Sequence, residues 1–548
     1  METFKINGLS FSYPEETTRQ LKNINLSIKQ GEFITICGES SSGKSTLLRH
    51  LKPALTPYGI KKGEILFRGQ PIEEIDLRTQ TSKIGYILQN PENGIVTDRV
   101  YHELAFGLES LGYDNNTIRL RVAEMATFFG ISDWFMKKVT ELSGGQKQLL
   151  NLASIMAMQP DVLVLDEPTA QLDPLAATEF LDTIKKINLD IGTTIVISEH
   201  RLGELFPMSD RILVMDGGEV IIDGPPKEAS RIILESGHIM AKALPSYMNI
   251  FAAVEGESAK TKSYPLSIKS SREWLSEKMG NKLVEYPRII SKEQPAKETE
   301  IAMELTDIWF KYDRNEKDVI KDLSIQIKKG EFHSIVGGNG TGKTTMLSLL
   351  GGLNKPYRGK MKLDSHIAFL PQNPQALFVE MSVERDIYEM LKSIEKDEQK
   401  SEEKAKKVIE MFYLEEILKR HPYDLSGGEQ QKVAMAKVLL LEPKILLLDE
   451  PTKALDSHFK IKLGKILKDL VKKGTTIVMV SHDIEFCAEY SDRVSLIFNG
   501  SIIATQSPRE FFSGNSFYTT GANRMSRHVF ENAVTTEDVI ALCKMNGL

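Results

Sequence analysis

The sequence predicts an α/β fold built twice along one chain, and three observations carry that expectation. The stretch Gly38 to Ser45 reads GESSSGKS and Gly337 to Thr344 reads GGNGTGKT, both fitting the phosphate-binding pattern G-x-x-x-x-G-K-[ST]. Each follows an apolar run suited to a buried strand, Phe33 to Cys37 and Phe332 to Val336, and each opens onto a helical pattern. Landmarks also recur at one spacing: Tyr13 and Tyr312 stand 299 residues apart, as do Lys44 and Lys343. A spacing held over that distance marks a duplicated unit.

Length and composition agree. At 548 residues the chain exceeds one ordinary domain, and about 150 residues per domain suggests three or four compact units. A hydrophobic content of 41% with 26% charged residues is that of a soluble globular protein, and no run of 18 apolar residues is present to span a bilayer. The start, METFKINGLS, lacks the basic and apolar regions of a secretory signal, so a cytosolic location is expected. Cys37, Cys487 and Cys543 are scattered and without metal-ligand spacing, which fits a reducing compartment. A net charge of -6 gives no electrostatic reason to expect nucleic acid as a partner.

In chain order, residues 2–28 and 301–327 share a rhythm of short strands with an aromatic cluster, Phe11-Ser12-Tyr13 and Trp309 to Tyr312. Next comes the glycine-bounded loop, where a helix N-terminus aims several backbone N–H groups at one spot and its dipole favours anions. Lys44 and Lys343 add a point charge for phosphates, and Ser45 and Thr344 offer a hydroxyl to magnesium. One such match alone leaves a glycine-serine turn before an ordinary helix as the lesser alternative, and the second match reduces it sharply. Beyond the loop the offset falls to 283 at Gln89 and Gln372 and stays there at Ser143 and Ser426, in LSGGQ and LSGGE. The sixteen residues missing from the second copy fall in a hairpin-like stretch, GEILFRGQPIEEIDLRTQTSKIG against GKMKLDSHIA. The charged run Glu395 to Lys407 reads as a solvated helix face.

The runs Val162 to Leu165 and Ile445 to Leu448, each followed by Asp-Glu, read as parallel strands buried on both faces. They carry their acids to the strand C-terminal edge, where open α/β sheets bind ligands. Asp166 and Asp449 suit magnesium through water, and Glu167 and Glu450 suit accepting a proton from attacking water. Asp173, before Pro174, is a good helix N-cap on its own account, and Asp456 lies at the matching place. His200 and His482 follow the strands Thr194 to Ile197 and Thr476 to Val480, 34 and 33 residues after the acids.

In this order and spacing, Tyr13, GESSSGKS, Gln89, LSGGQ, VLVLDE, Asp173 and His200 resemble the ATP-binding-cassette (ABC) ATPases, and the set from Tyr312 to His482 repeats the resemblance. It covers about residues 1–230 and 300–510. The resemblance implies an α/β fold of two tandem ABC-type P-loop nucleotide-binding domains, 1–230 and 301–510, with a connector at 231–300 and a C-terminal helical tail at 511–548. Each domain would have a mainly parallel sheet core, an antiparallel β subdomain and a helical signature subdomain. It implies ATP hydrolysis with ATP and Mg2+. Around ATP it places Tyr13, Gly38, Ser42, Gly43, Lys44, Ser45, Thr46, Gln89, Ser143, Gly144, Gly145 and Asp173 in the first copy. In the second it places Tyr312, Gly337, Thr341, Gly342, Lys343, Thr344, Thr345, Gln372, Ser426, Gly427, Gly428 and Asp456. Magnesium would be met by Ser45, Gln89 and Asp166, and by Thr344, Gln372 and Asp449. Glu167, His200, Glu450 and His482 would be catalytic, the histidines contacting the γ-phosphate. The halves would pair head-to-tail, so that Ser143 and Ser426 each bind the γ-phosphate held by the opposite half.

The stretches LQNPENGIVTDRVYHELAFGLESLG and LPQNPQALFVEMSVERDIYEML are similar to the energy-coupling-factor (ECF) type importer ATPases, as are SYPLSIKSSREWL and the tail from Phe511. That likeness implies uptake of a micronutrient, a vitamin, its precursor or a metal ion. The chain would sit on the cytoplasmic side of the cell membrane as a peripheral protein. Its partners would be a transmembrane scaffold protein and a membrane substrate-binding protein. The alternative is a soluble tandem ABC ATPase acting on the ribosome; those typically carry a long, highly charged helical linker, whereas this one is punctuated by Pro245, Pro265 and Pro287. A DNA-repair ATPase would insert a long coiled coil where only 99 residues separate Lys44 from Ser143. Two departures stand out. The first loop carries Glu39 and three serines where the second has Gly338, Asn339 and Gly340, and Leu149 and Lys432 stand where many relatives have arginine. The connector matches no catalytic pattern and is expected to be partly folded and packed on the first half. Helical patterning around Val534 to Leu542 predicts a packing helix in the tail.

Overall fold

The apolar runs that lead into the two loops form the middle of two six-stranded sheets. The computed structural model describes residues 1–14, 19–280, 284, 300–363, 366–395 and 397–548. It divides into one unit of residues 1–249 and 256–267, and a second of residues 250–255 and 268–548. In the first unit the strand order is Glu219–Gly224, Arg211–Asp216, Phe33–Gly38, Thr194–Ser198, Val162–Asp166, Ile84–Ile87. All neighbours are parallel except the Glu219–Gly224 edge. Phe33–Gly38 and Val162–Asp166 are buried at every residue, which is why their sequences are continuous apolar runs and not alternating ones.

An antiparallel sheet, Leu21–Lys29, Glu2–Ser12, Ile60–Phe67 and Gln70–Pro71, packs through Phe4, Phe11 and Ile65 onto Ile34, Leu47 and Val164 of the parallel sheet and the loop helix. On another core, Leu163, Leu165 and Phe180 meet Leu104, Phe129, Trp134 and Leu150 from a helical region. That region comprises Val100–Ser110, Asn115–Phe128 and Gly144–Ala157. The second unit repeats this plan. Its parallel sheet runs Ile367–Leu370, Ile445–Asp449, Thr476–Val480, Phe332–Val336, Arg493–Phe498, with Ser501–Gln506 as the antiparallel edge. Its antiparallel sheet is Ile320–Lys328, Ile301–Phe310 and Arg358–Lys362. The run from Glu395 contains the helix Glu398–Phe412, with Ala405, Val408 and Phe412 buried and the charges outward; residue 396 lies outside the described residues.

The shortened interval in the second copy removes more than a hairpin. In the first unit it holds the strand Gln70–Pro71 and the helix Leu77–Lys83, capped by Asp76 accepting from the Thr79 N–H. Only Gln80 of that helix is buried, so it has no apolar stripe to announce it in the sequence. The connector also differs from expectation. It forms the helices Pro226–Glu235, Ser246–Glu255 and Ile268–Met279, and its residues 250–255 and 268–280 belong with the second half. Glu255 accepts from Trp274 Nε1 at 2.8 Å and pairs with Lys278 Nζ at 3.2 Å, while Phe251 packs on the Trp274 ring. Pro287 and residues 291–299 of the polar stretch lie outside the described residues. The tail holds Pro508–Gly514, Gly521–Ser526 and Thr536–Met545, the last burying Val539, Leu542 and Cys543.

An acid at the start of each helical region pins the main chain past the glutamine segment. Glu103 Oε2 accepts from the N–H groups of Val96 at 3.1 Å and Thr97 at 2.8 Å. In the second copy Asp386 Oδ1 accepts from Val379 N–H at 3.1 Å and from the buried ammonium of Lys437 at 2.7 Å, both side chains being within 1% of full burial. A buried pair is costly to break from one side because the remaining charge is left without a partner. Asp386→Ala should therefore destabilise the second unit by about 3–5 kcal/mol, and adding Lys437→Met should recover part of that loss. Urea unfolding of the full chain reads both; an unchanged midpoint for Asp386→Ala would show that the pair carries no stability.

Candidate functional site

Three adjacent parallel strands bring the chemistry together in each unit. In the first, Phe33–Gly38 delivers the glycine loop, Val162–Asp166 delivers the acids, and Thr194–Ser198 lies between them, ending two residues before His200. Gly43 takes φ +100 at the loop's exit, and a Cβ there would stand 2.8 Å from the Gln20 carbonyl oxygen, so both conformation and space require glycine. Gly342 holds the same place in the second copy at φ +99. Lys44 is buried and donates to the carbonyl oxygens of Gly38 at 2.9 Å and Glu39 at 2.7 Å. The Ser45 hydroxyl reaches across to Asp166 Oδ1 at 2.9 Å, and Ser198 Oγ donates to the same oxygen at 2.8 Å. Glu167 is held from two sides: Gln89 Nε2 donates to Oε2 at 2.9 Å and His200 Nε2 lies 2.9 Å from Oε1. Tyr13 OH stands 3.2 Å from the Thr46 hydroxyl, its ring edge-on to Phe11.

The second copy places the corresponding side chains with fewer partners on its acids. Lys343 donates to the carbonyl oxygens of Gly337 at 3.0 Å and Gly338 at 2.8 Å, and Tyr312 OH stands 3.0 Å from the Thr345 hydroxyl. The Thr341 hydroxyl donates to Gly338 O at 2.8 Å. Both Asp449 carboxylate oxygens are buried without a completed hydrogen bond, although the Thr344 hydroxyl approaches closely enough to influence the acid. His482 Nε2 lies 3.1 Å from Asn339 Oδ1 and 3.5 Å from Glu450 Oε1, while its N–H donates to Glu450 Oε2 at 3.1 Å. Gln372 is exposed, whereas Gln89 is half-buried.

These surroundings separate the two glutamates. Burial pushes the Glu167 carboxyl up, but His200, by charge and hydrogen bond, and Lys44 outweigh it and hold the group below the ordinary glutamate range. Burial dominates at Glu450 and raises it well above that range against the pull of the His482 N–H and Lys343. Asp166 is raised by burial and by Glu167, and Asp449 by burial. Both glutamates also sit in the left-handed region, at φ +45 for Glu167 and +52 for Glu450.

Ser143 and Ser426 cap the helices Gly144–Ala157 and Gly427–Leu440 in reciprocal capping boxes with Gln146 and Glu429. Gly144 has no positive φ, and a Cβ on it would meet nothing within 4 Å, so nothing inside the unit requires glycine there. Asp173 and Asp456 are N-caps, accepting from the N–H groups of Ala176 and Phe459. Several polar neighbours escaped the sequence reading. Tyr86 OH lies 3.4 Å from Asp166 Oδ2, and buried Glu199 accepts from Thr169 N–H at 2.8 Å, from the Thr169 hydroxyl, and from His200 N–H at 3.0 Å. Phe369 and Ser481 stand at their places in the second copy. A strand-end Ser-Glu-His was the available signal for Ser198 and Glu199.

The donor set fits a hard divalent cation that keeps most of its waters: one hydroxyl and one carboxylate per copy, with Asp449 supplying two buried oxygens that nothing else satisfies. Among the described residues no group of three or more His, Cys, Asp or Glu forms a metal cage. Beside a lysine and a helix N-terminus, such an arrangement suits a metal-phosphate better than a metal alone.

The ABC transporter family model matches residues 21–170 and 320–453. A Bacillus cereus protein described as an ABC transporter ATP-binding protein is 40% identical over 554 residues, covering 98% of this chain and 98% of its own. A Bacillus thuringiensis protein of the same description is 41% identical over 552 residues, again covering 98% of each. Among solved structures, the archaeal ribosome recycling factor aABCE1, in complex with ribosomal stalk protein aP1, aligns at TM-score 0.58 with 21% identity, over 92% of this chain and 91% of that one. At that identity the likeness is one of fold.

The opposite displacements of the two glutamates predict opposite responses to neutral isosteres. The lowered Glu167 stabilises its unit above its unfolded value, about pH 4.3, and that contribution is lost as pH falls through its folded value. Glu167→Gln should thus destabilise the first unit near pH 7, by about 1.5–3 kcal/mol for a lost charged hydrogen bond, with the difference shrinking in acid. The raised Glu450 costs no stability below its unfolded value, about pH 4.3; the cost grows as pH rises from there and is complete once pH has passed through its folded value. Glu450→Gln should therefore have little effect near pH 4 and stabilise the second unit increasingly toward alkaline pH. Thermal unfolding across pH 4–9 distinguishes them, and a common sign for both variants would contradict the assigned environments.

Proposed function

Because the chain belongs to the ABC transporter ATP-binding proteins, and is an ATP-binding ATPase of two tandem ABC domains, we propose that it is the energy-coupling subunit of an ECF-type importer for a micronutrient such as a vitamin, a vitamin precursor or a metal ion. Support for transport comes from full-length relatives described as transporter ATP-binding proteins. Support for the ECF type comes from the QNP stretches after Gln89 and Gln372. Among the described residues no helix is long and apolar enough to cross a membrane. The reading gives that crossing to a transmembrane scaffold protein and a membrane substrate-binding protein, with this chain held peripherally on the cytoplasmic side. The fold likeness to a ribosome recycling factor does not favour the ribosomal alternative.

The observation that carries the reading is the twice-built constellation of loop lysine, hydroxyl, strand-end acid pair and histidine. In each copy the loop N–H groups and Lys44 or Lys343 would grip the ATP phosphates, Gly38, Ser42, Gly43 and Thr46 or Gly337, Thr341, Gly342 and Thr345 would line them, and Tyr13 or Tyr312 would stack on adenine. Ser45, Gln89 and Asp166, or Thr344, Gln372 and Asp449, would hold Mg2+, which when bound neutralises charge on the phosphate oxygens. Glu167 or Glu450 would accept the proton of the attacking water, and His200 or His482 would orient that glutamate and contact the γ-phosphate. Asp173 and Asp456 fix the turns that follow the acids. Ser143, Gly144 and Gly145 would close on the nucleotide of the second copy, and Ser426, Gly427 and Gly428 on that of the first; a glycine at 144 that its own unit does not require suits a close approach from outside. Two ATP molecules would thereby join the halves head-to-tail, and that closure would drive the scaffold.

Two measurements test this. In Glu167→Gln/Glu450→Gln, ATP should still bind while hydrolysis falls by about 10² or more if general-base work is lost; undiminished turnover would remove the glutamates from that role. With Lys343→Ala silencing one site, Ser426→Arg should abolish the remaining hydrolysis and Ser143→Arg should matter less. The reverse ranking would mean that each signature serves its own half. Purification from membranes, with identification of the accompanying proteins, tests the importer assignment, and ribosomal proteins in place of membrane proteins would overturn it.

A further inference from the structure

The second phosphate loop is richer in glycine than the first. GGNGTGKT has glycine at four of eight positions and GESSSGKS at two, and glycine loses more freedom than any other residue when a loop is ordered. A contact from outside the loop would limit that freedom beyond what its own bonds do.

The C-terminal tail supplies a candidate. Residues 515–520 join the helices Pro508–Gly514 and Gly521–Ser526, and their course is fixed by polar contacts, some buried and some exposed. The Thr519 hydroxyl bonds Phe512 O and Asn523 Oδ1, Asn523 Nδ2 donates to Ala533 O at 2.8 Å, and Arg524 donates to Phe517 O at 2.7 Å. The Gly521 N–H donates at 2.7 Å to Glu485, three residues after His482. So anchored, Tyr518 projects to the loop: a Cβ built on Gly338 would stand 3.9 Å from its hydroxyl. Gly338 is also the residue whose carbonyl accepts from both Lys343 and Thr341. At the matching place the first loop carries a side chain of its own, Glu39.

We propose that Tyr518 is a positioning residue of the second nucleotide site, its phenol standing over Gly338 and holding the glycine-rich loop in the shape that receives phosphate. The proposal rests on Gly337 to Thr344 being the second ATP site. Loss of the phenol leaves the loop more states to give up on binding and so weakens affinity. Tightening the loop at Gly338 offsets that loss, because a Cβ there meets only ordinary contacts, the nearest being Thr341 Cγ2 at 3.8 Å.

The test uses the full chain and mant-ATP with magnesium. In a Lys44→Ala background, which leaves the second site, Tyr518→Ala should raise the dissociation constant about three- to tenfold, the worth of one modest contact. Tyr518→Phe should fall between, and Gly338→Ala added to Tyr518→Ala should restore part of the affinity. First-site affinity in a Lys343→Ala background is the internal reference. Equal weakening in both backgrounds, or a second-site affinity indifferent to Tyr518→Ala, overturns the proposal. Two nucleotides still bound to Lys343→Ala would overturn the site assignment beneath it, and that outcome is distinct from the other two.

Discussion

The site depends on the register of three neighbouring parallel strands. Ser198 pairs with both Ile36 and Asp166, and Val480 with both Ile335 and Asp449, so the middle strand ends level with the acid strand on one side and within two residues of the loop strand's end on the other. Two strand spacings, about 10 Å, then separate loop from acid. The helix after the loop must return a hydroxyl over that gap, which Ser45 does in reaching Asp166. Because pairing fixes the strand ends, the one-residue difference between the Asp-to-His intervals is absorbed before the middle strand begins. The preceding helices, Pro174–Ile191 and Ser457–Lys472, differ in length, while each histidine still stands two residues beyond the paired position.

Within that shared frame the copies have diverged in how many polar partners their acids keep. Ser198, Tyr86 and Gln89 satisfy Asp166 and Glu167 in the first copy. Val480 and Phe369 stand where Ser198 and Tyr86 would be in the second, and the Asp449 oxygens are left to whatever cation or hydroxyl comes to them. A buried carboxylate with few donors shifts toward its neutral form, and one facing a histidine toward its ionised form. The same residue type at the same backbone position thus has two acid-base characters within one molecule.

Much of this was legible in the sequence because the signals are local. Four-residue apolar runs announce strands buried on both faces, a glycine loop ahead of a helix announces an anion cradle, and Asp173 before Pro174 announces a helix N-cap. Those signals place Ser45 and Asp166 at one sheet edge, whereas a role for His200 beside Glu167 comes only with the family resemblance. What stayed hidden depends on contacts distant in sequence or on faces without periodicity. Leu77–Lys83 is a helix with one buried residue, and its mix of exposed and half-buried positions carries no pattern that distinguishes it from a loop. The division of the connector turns on Glu255 meeting Trp274 and Lys278, none of which looks anchored by its neighbours. Tyr86 reads as one more apolar strand residue until its hydroxyl is seen beside Asp166.

The left-handed glutamates carry a consequence for how the chain can drift. For any residue with a Cβ, that conformation costs on the order of 1–2 kcal/mol, and glycine would occupy it without strain. Backbone conformation considered alone would therefore favour glycine at both positions. Both copies hold glutamate instead, at φ +45 and +52, although the side chains have different partners and opposite tendencies to ionise. Strain kept twice, under unlike local conditions, accords with the proposed work of the carboxylate and is not explained by the geometry of the turn that bears it.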